Sequence, residues 1–404
     1  MTEIQIFKNT SSSKIKELYK KYILNEKLGE VSITIPSELT RYKFGLLADL
    51  LRFIITLNIN SQIKNLKINI DIEEIDSIYD HEHIYPIISL LWNTSRFVDK
   101  DDNDIKDLLK INQNKFFNKM NSLEKLKGQK YILSHTDHLS KNNGLIKFLE
   151  DINGFNDDED YITEIVERIL NENVLLHNIK NQHELENIIK DIGAVIYELT
   201  KNTNEWGKTD VNLKPVPSSI RGMYFRFHNN GYENLLEEFS GTPINDFFQH
   251  NYIKENCIQS YSYQQNEEKI VVNTIYYLEI LVYDSGVGFI EKFNDSNGLT
   301  DIEVIKKCLI KNQTSSVSNL KSKKGIGLDR ILNTIDKKGF FKLMTDKYCV
   351  YRDLVKDNYS SLTLEQLNNL KLEDWNGKEF SSDSLVKCQG SYVSILYPFK
   401  KNGL

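Results

Sequence analysis

The sequence predicts an α+β protein built in two parts, and three observations predict it. Over residues 1–150 strand-like and helix-like segments alternate, which marks a small α/β unit. From about residue 162 a long amphipathic helix is followed by strand-like runs that short hairpins can connect, with further helices between them, the pattern of an α+β sandwich. A polar break at 153–161, NGFNDDEDY, lies between the two, so the chain divides into an N-terminal unit over 1–150 and a C-terminal unit over 160–404.

In the first unit the β-branched alternation of EVSITIP, 30–36, predicts a strand. Phe44, Leu47, Leu50, Leu51 and Ile54 recur at intervals of three or four and predict a helix over 41–57. NLKINIDI, 65–72, predicts a second strand, and the charged stretch 98–107 predicts a surface loop. The segment 110–133 has no clear period.

In the second unit 161–177 predicts a helix. Leu185, Ile188, Ile189, Ile192, Val195, Ile196 and Leu199 then fall at offsets 0, 3, 4, 7, 10, 11 and 14, one continuous apolar face. Strands follow at 222–229 and 273–284, helices at 302–312 and 326–339, and closing strands at 339–346 and 391–399. The segment 347–389 is longer than a simple connection between closing strands and is expected to add a subdomain or arm.

Composition narrows the classes of function. Of 404 residues, 40% are hydrophobic and 27% charged, as in a folded globular chain and not a disordered one. A net charge of −6 gives no global attraction to nucleic acid or anionic lipid. The most apolar run, 44–59, is interrupted by Asp49 and Arg52, so no membrane span is expected. The start carries no secretory signal, so a cytoplasmic location is expected. Cys257, Cys308, Cys349 and Cys388 are far apart and form no CxxC pair, which points to buried or idle thiols.

Three short constellations carry chemistry. Glu198, Asn202 and Glu205 fall at i, i+4 and i+7 beside the apolar face of the long helix. Asn202 offers a neutral oxygen to a hard cation such as Mg²⁺, and Glu198 can orient or deprotonate a water near a phosphate. A solvated helix flank is the plain alternative. In LVYDSGVGFI a strand delivers Asp284 to its end, and Gly286 and Gly288 let the chain turn close against a flat ligand. An acceptor-only carboxylate there can bind an exocyclic amino group, and an ordinary turn is the alternative. In KSKKGIGLDRIL, Lys324 flanks Gly325 and Gly327 ahead of a helix start, where bare N–H groups suit phosphate. The alternative is a plain helix N-terminus with a basic flank.

Taken in this order and spacing, the three motifs resemble the GHKL, or Bergerat-fold, ATPase superfamily. The resemblance extends over about 180–400, because QGSYVSILYPF is similar to that family's last strand, with Ser391 in the place of its threonine. It implies a Bergerat-type sandwich, a mixed and largely antiparallel sheet with helices on one face. It implies ATP and Mg²⁺ as ligands, with Asn202 on the metal and Glu198 as the base that activates water. Asp284 would hold the adenine amino group with help from a water on Ser391. Gly286 and Gly288 would let the backbone pass the base, and Lys324, Gly325, Gly327 and Leu328 would line the phosphates. The residues between Gly288 and Gly325 would form a lid, for which the polar, basic run 312–324 is suited. The resemblance is compatible with nucleotide-dependent homodimerisation, and the N-terminal unit would engage a protein partner.

Trp206 stands where many histidine kinases of this superfamily carry histidine. His183-Glu184-Leu185 resembles their phospho-acceptor box but lacks its proline, and on one unbroken helix His183 would lie about 22 Å from Glu198. A nucleotide-dependent ATPase switch is therefore the first expectation. A histidine or serine protein kinase of the same fold is the second, and a non-catalytic interaction protein, nucleotide-binding or binding nothing, is the third. Asp80, His81 and His83, and likewise His135 and His138, could each be half of a metal site. With no third ligand fixed by spacing they are expected in surface loops.

Overall fold

The computed structural model describes residues 1–24, 28–40, 42–251, 258–261, 271–292, 298–310, 327–377, 380 and 387–399. The first stretch of chain forms β1 (Thr2–Gln5), α1 (Ser12–Tyr19), β2 (Glu30–Pro36), α2 (Leu46–Asn60), β3 (Gln62–Asn69), α3 (Ile84–Leu91), β4 (Arg96–Val98) and α4 (Lys106–Ser122). Next come β5 (Lys130–Thr136), α5 (Lys141–Gly144), β6 (Glu150–Asp151), β7 (Gly154–Phe155), α6 (Glu159–Ile169), α7 (Ile179–Leu185) and α8 (Ile189–Trp206). The strand β8 (Ile220–Gly231) leads to α9 (Tyr232–Glu238), α10 (Pro243–Asn251), β9 (Ile258–Tyr261), β10 (Val271–Asp284), α11 (Phe289–Lys292) and α12 (Asp301–Cys308). The chain closes with α13 (Gly327–Thr334), β11 (Phe340–Thr345), β12 (Tyr348–Asp353), β13 (Glu373–Asp374) and β14 (Ser391–Pro398).

The first four strands form a parallel sheet in the order β1-β2-β3-β4. Val31, Ile33 and Ile35 are buried and alternate with half-exposed Ser32 and Thr34, so one face of this sheet carries the apolar side chains. Helix α2 is apolar nearly all round and is correspondingly buried. It lies between two sheets, because β10, β11 and β14 present a second surface to it.

That second sheet runs β13-β12-β11-β14-β10-β8-β5, with β9 also on β10. Every pairing in it is antiparallel. Helix α8 packs on one face, where Ile192 and Val195 meet Ile280 and Ile395, and α13 lies beside it through Ile331 and Ile335. The opposite face is covered by α2, α3 and α9, and by an aromatic cluster in which Phe247 and Phe248 of α10 meet Tyr277 and Phe340. The expected largely antiparallel sheet is found, with every pairing among the described residues antiparallel, and one point is corrected: helices cover both of its faces and not one. The second cover comes from the N-terminal helices together with α9 and α10, whose short periods the strand pattern of 222–284 masks.

The sheets divide between β4 and β5, ahead of the polar stretch 153–161. That stretch begins within the turn and second strand of the β6–β7 hairpin and ends in the start of α6, where Asp158 accepts from Tyr161 N. The segment without clear period carries α4 and β5, and β5 pairs with β8. The apolar face expected to be continuous from Leu185 to Leu199 is broken, because Ile188 leaves the helical region at φ −122°, ψ 0°. His183 therefore sits on α7, separate from the helix of Glu198, with its exposed ring on Glu186 at 2.8 Å.

The segment 347–389 adds β12 and β13 to the sheet edge, and its Tyr359 hydroxyl reaches both oxygens of Asp329 on α13 at 3.1 Å. Of the histidines expected in surface loops, His83 and His135 are buried and His81 and His138 are half-buried. His83 meets Pro36 O at 2.9 Å, His135 accepts from Ile146 N at 3.2 Å, and His138 lies between backbone groups of Ser89 and Ser219. Buried imidazoles need such partners, and backbone supplies one to each buried ring, while His83 Nδ1 and His135 Nε2 meet none among the described residues. Cys308, Cys349 and Cys388 are free and buried, and Cys257 lies outside the described residues. No helix of the described residues is long and apolar enough to cross a membrane.

Candidate functional site

Five strands of the large sheet end in one row, because their registers coincide. His135, Arg221, Asp284, Ser391 and Thr345 are successive cross-strand neighbours on β5, β8, β10, β14 and β11. Directly opposed residues share a face, and this face is the one that α8 covers. All five are buried, which is unusual for a line of polar groups and requires partners. Arg221 donates to Asp137 through Nε at 3.0 Å and Nη2 at 2.8 Å, and also to Glu150. Ser391 Oγ lies 3.4 Å from Thr345 Oγ1.

Asp284 is the last residue of β10, as the apolar run ahead of it predicts. Its Oδ1 accepts from Gly286 N at 2.8 Å, closing a tight turn. The end of α8 presses on this turn. A Cβ placed on Gly286 would lie 2.7 Å from Trp206 O and 2.9 Å from Gly207 Cα. Gly288 has φ +92°, and a Cβ there would lie 2.5 Å from Asp346 Oδ2. The two glycines therefore serve packing against α8 and against the end of β11. Phe289 N donates to Thr345 Oγ1 and Ile290 N to Asp346 Oδ2. Burial pushes the Asp346 carboxyl up to about 6.

Glu198 and Asn202 lie half-buried on α8. Burial raises the Glu198 carboxyl above its ordinary range; nearby Glu159 and Asp157 add to this, while Lys201 and Arg330 oppose it. Arg330, on α13, holds Glu159 of α6 at 2.9 Å and Asp191 of α8 at 3.6 Å, so it ties these three helices together. Gly327 opens α13, and Leu328 is buried in the core. Lys324, Gly325 and the expected lid run 312–324 lie outside the described residues.

The elements bearing the three motifs thus adjoin. Helix α8 contacts both β10 and α13, and its C-terminal end lies on Asp284. Asn202 is five residues from Gly207 and Glu198 nine, about 8 and 14 Å along the axis. Among the described residues no three His, Cys, Asp or Glu side chains gather into a metal-binding group. A Mg²⁺ ion here would be held by the Asn202 oxygen and by phosphate and water, which suits a cation that keeps most of its waters.

Sequence reasoning missed Arg221, Thr345, Asp346 and Gln389. Gln389 Nε2 donates to Ser285 O at 2.8 Å and Gly286 O at 2.6 Å. Arg221 and Thr345 gain their places from strand register and Asp346 from the end of β11, while Gln389 opens the QGSYVSILYPF run, whose spacing says nothing of the carbonyls it meets. Fold and site define an α+β protein with a buried polar row at one sheet edge. No family model matches the chain, and no curated protein or solved structure matches it either.

Proposed function

We propose that this protein binds Mg-ATP between α8, the start of α13 and the Asp284 turn, and works as an ATP-hydrolysing conformational switch for a protein partner. The reading rests on the resemblance to GHKL ATPases, and the observation that supports it is the meeting of three motif-bearing elements that lie far apart in sequence. Asp284 would accept the adenine amino group, with the Ser391 hydroxyl beside it. Asn202 would hold the cation and the glycine-led start of α13 the phosphates. Mg²⁺ supplies charge neutralisation at the phosphates when bound. Glu198 would take the proton of a water attacking the γ-phosphate, releasing ADP and inorganic phosphate. A carboxyl raised by burial is a better base for that step than an ordinary one.

A second reading has its own support. The close seating of Gly286 and Gly288 on protein atoms gives both glycines a packing role without any ligand. That favours a non-catalytic interaction protein. Titration of Mg-ATP by calorimetry, with phosphate release measured alongside, separates the two. The switch reading expects wild type to bind, Asp284→Asn to lose binding and Glu198→Ala to bind without turnover. Binding and transfer of label to a protein would favour a kinase. Absence of binding by wild type would leave only the interaction protein.

A further inference from the structure

The nucleotide reading assigns the N-terminal unit a partner but gives it no route to the pocket. The segment that precedes β14 supplies one. Gln389 donates its backbone N–H to Thr56 Oγ1 on α2 at 3.0 Å. Its side-chain amide donates to the carbonyls of Ser285 and Gly286, at 2.8 and 2.6 Å. Gly390 N adds a further bond to Gly286 O at 2.8 Å. One residue therefore joins a helix of the N-terminal unit to the turn that Asp284 opens. The neighbouring Cys388 is tied to the end of β11, its N–H donating to Asp346 O at 2.9 Å.

We infer that Gln389 and Thr56 form a coupling that lets α2 set the geometry of the Asp284–Gly288 turn. Two features fit them for this. Thr56 is buried in a helix packed on both sides, so it moves only with the helix. Both groups in front of the Gln389 amide are carbonyl acceptors, so only its NH₂ end can face them and the amide has a single satisfied orientation. A displacement of α2 is passed on directly, since a hydrogen bond holds only over a narrow range of distance and angle. Gln389 is a positioning residue here: it touches the turn and not a substrate. Its significance for ATP rests on the function proposed above, whereas the coupling itself does not.

The test uses two near-isosteric changes in the full-length protein. Thr56→Val removes the acceptor for Gln389 N–H, and Gln389→Glu replaces the donor with a carboxylate that opposes two carbonyl oxygens. Hydrogen exchange is followed at the amides of 285–290 without nucleotide, with urea midpoints recorded for each protein. Each single change should speed exchange there roughly tenfold, as expected for loss of a buried hydrogen bond. The double change should add little beyond either alone, and Thr56→Ser, which keeps the hydroxyl, should restore wild-type rates. Wild-type exchange in Thr56→Val, or effects that simply add, overturns the coupling. Mg-ATP is then titrated into wild type and Gln389→Glu, with roughly tenfold weaker binding expected in the variant. Absence of binding by wild type, with the exchange pattern as expected, upholds the coupling and removes the nucleotide reading alone.

Discussion

Gly286 is the residue at which packing and ligand binding make competing claims. Its Cα faces Trp206 O and Gly207 Cα, backbone atoms that cannot swing aside as a side chain would. Gly286→Ala should therefore lift the end of α8 from the turn and cost about 1–3 kcal/mol, the usual range for overpacking. Urea denaturation measures this, with Gly29→Ala as a control, because a Cβ at Gly29 meets nothing within 4 Å. A loss no larger than the control's would show that the turn yields freely and that its glycine serves something other than packing. An acid followed by spaced glycines after an apolar run is visible in sequence, so Asp284, Gly286 and Gly288 could be singled out from residue types alone. Arg221, Thr345 and Gln389 could not. Arg221 stands 63 residues before Asp284 and Gln389 105 after it, and only the pairing of β8, β10 and β14 brings them to one end of the sheet.

Helix α2 shows the same limit at the scale of an element. Its existence follows from the spacing of Leu47, Leu50, Leu51 and Ile54, yet its polar residues mean something that periodicity does not convey. Asp49 and Arg52 interrupt the apolar run and exclude a membrane span. In the fold, the cap residue Gly45 together with Asp49, Arg52 and Thr56 forms one stripe, at i, i+4, i+7 and i+11, that docks on the large sheet. Gly45 N donates to Glu279 Oε1 at 2.8 Å, and Asp49 meets Lys342 Nζ at 3.4 Å. Arg52 Nη1 lies 3.6 Å from Met344 Sδ, and Thr56 accepts from Gln389 N. A polar stripe on a helix is ordinarily read as facing water. Here water is replaced by a second sheet, which the sequence signals only through its separate strands. The Lys342 side chain is 4% exposed, so removing its partner leaves a buried ammonium. Asp49→Ala should cost about 3 kcal/mol, and Asp49→Ala with Lys342→Met should recover most of that. Urea midpoints of the two single variants and the double variant decide it: a double variant as unstable as the sum of the singles would mean that the pair is not a unit. The break between α7 and α8 was hidden for a related reason. Ile188 continues the apolar spacing while its backbone has already left the helix.

At the scale of the whole molecule, four layers alternate: parallel sheet, N-terminal helices, antiparallel sheet, and the layer of α6, α8 and α13. One apolar core runs through both sheets, so the two units share their stability. The joint between them is not purely apolar. Glu279 of β10 accepts from Gly45 N and lies 2.7 Å from His228 Nε2, with neither side chain open to water. Burial pushes the Glu279 carboxyl up to about 8 and drives the His228 imidazole down, so burial favours the neutral form of both. The two groups act on stability with opposite signs. The raised Glu279 contributes fully below its unfolded value of 4.5, and that contribution is lost as pH rises through about 8. The depressed His228 takes up protons only on unfolding, so its contribution grows as pH rises to its ordinary 6.5 and is constant above. The two slopes oppose each other below about pH 6.5, and only the Glu279 slope remains from there to about 8. Stability of wild type should accordingly fall by about 1.4 kcal/mol per pH unit over that upper window. Glu279→Gln keeps the shape and the neutral state while removing the titration, so its stability should rise to pH 6.5 and then hold level. Urea denaturation of both proteins from pH 5 to 9 gives the difference, in which other titrating groups cancel. Parallel profiles would mean that Glu279 is ionised in the folded protein, with its charge matched by Arg226 and Lys342 across the joint.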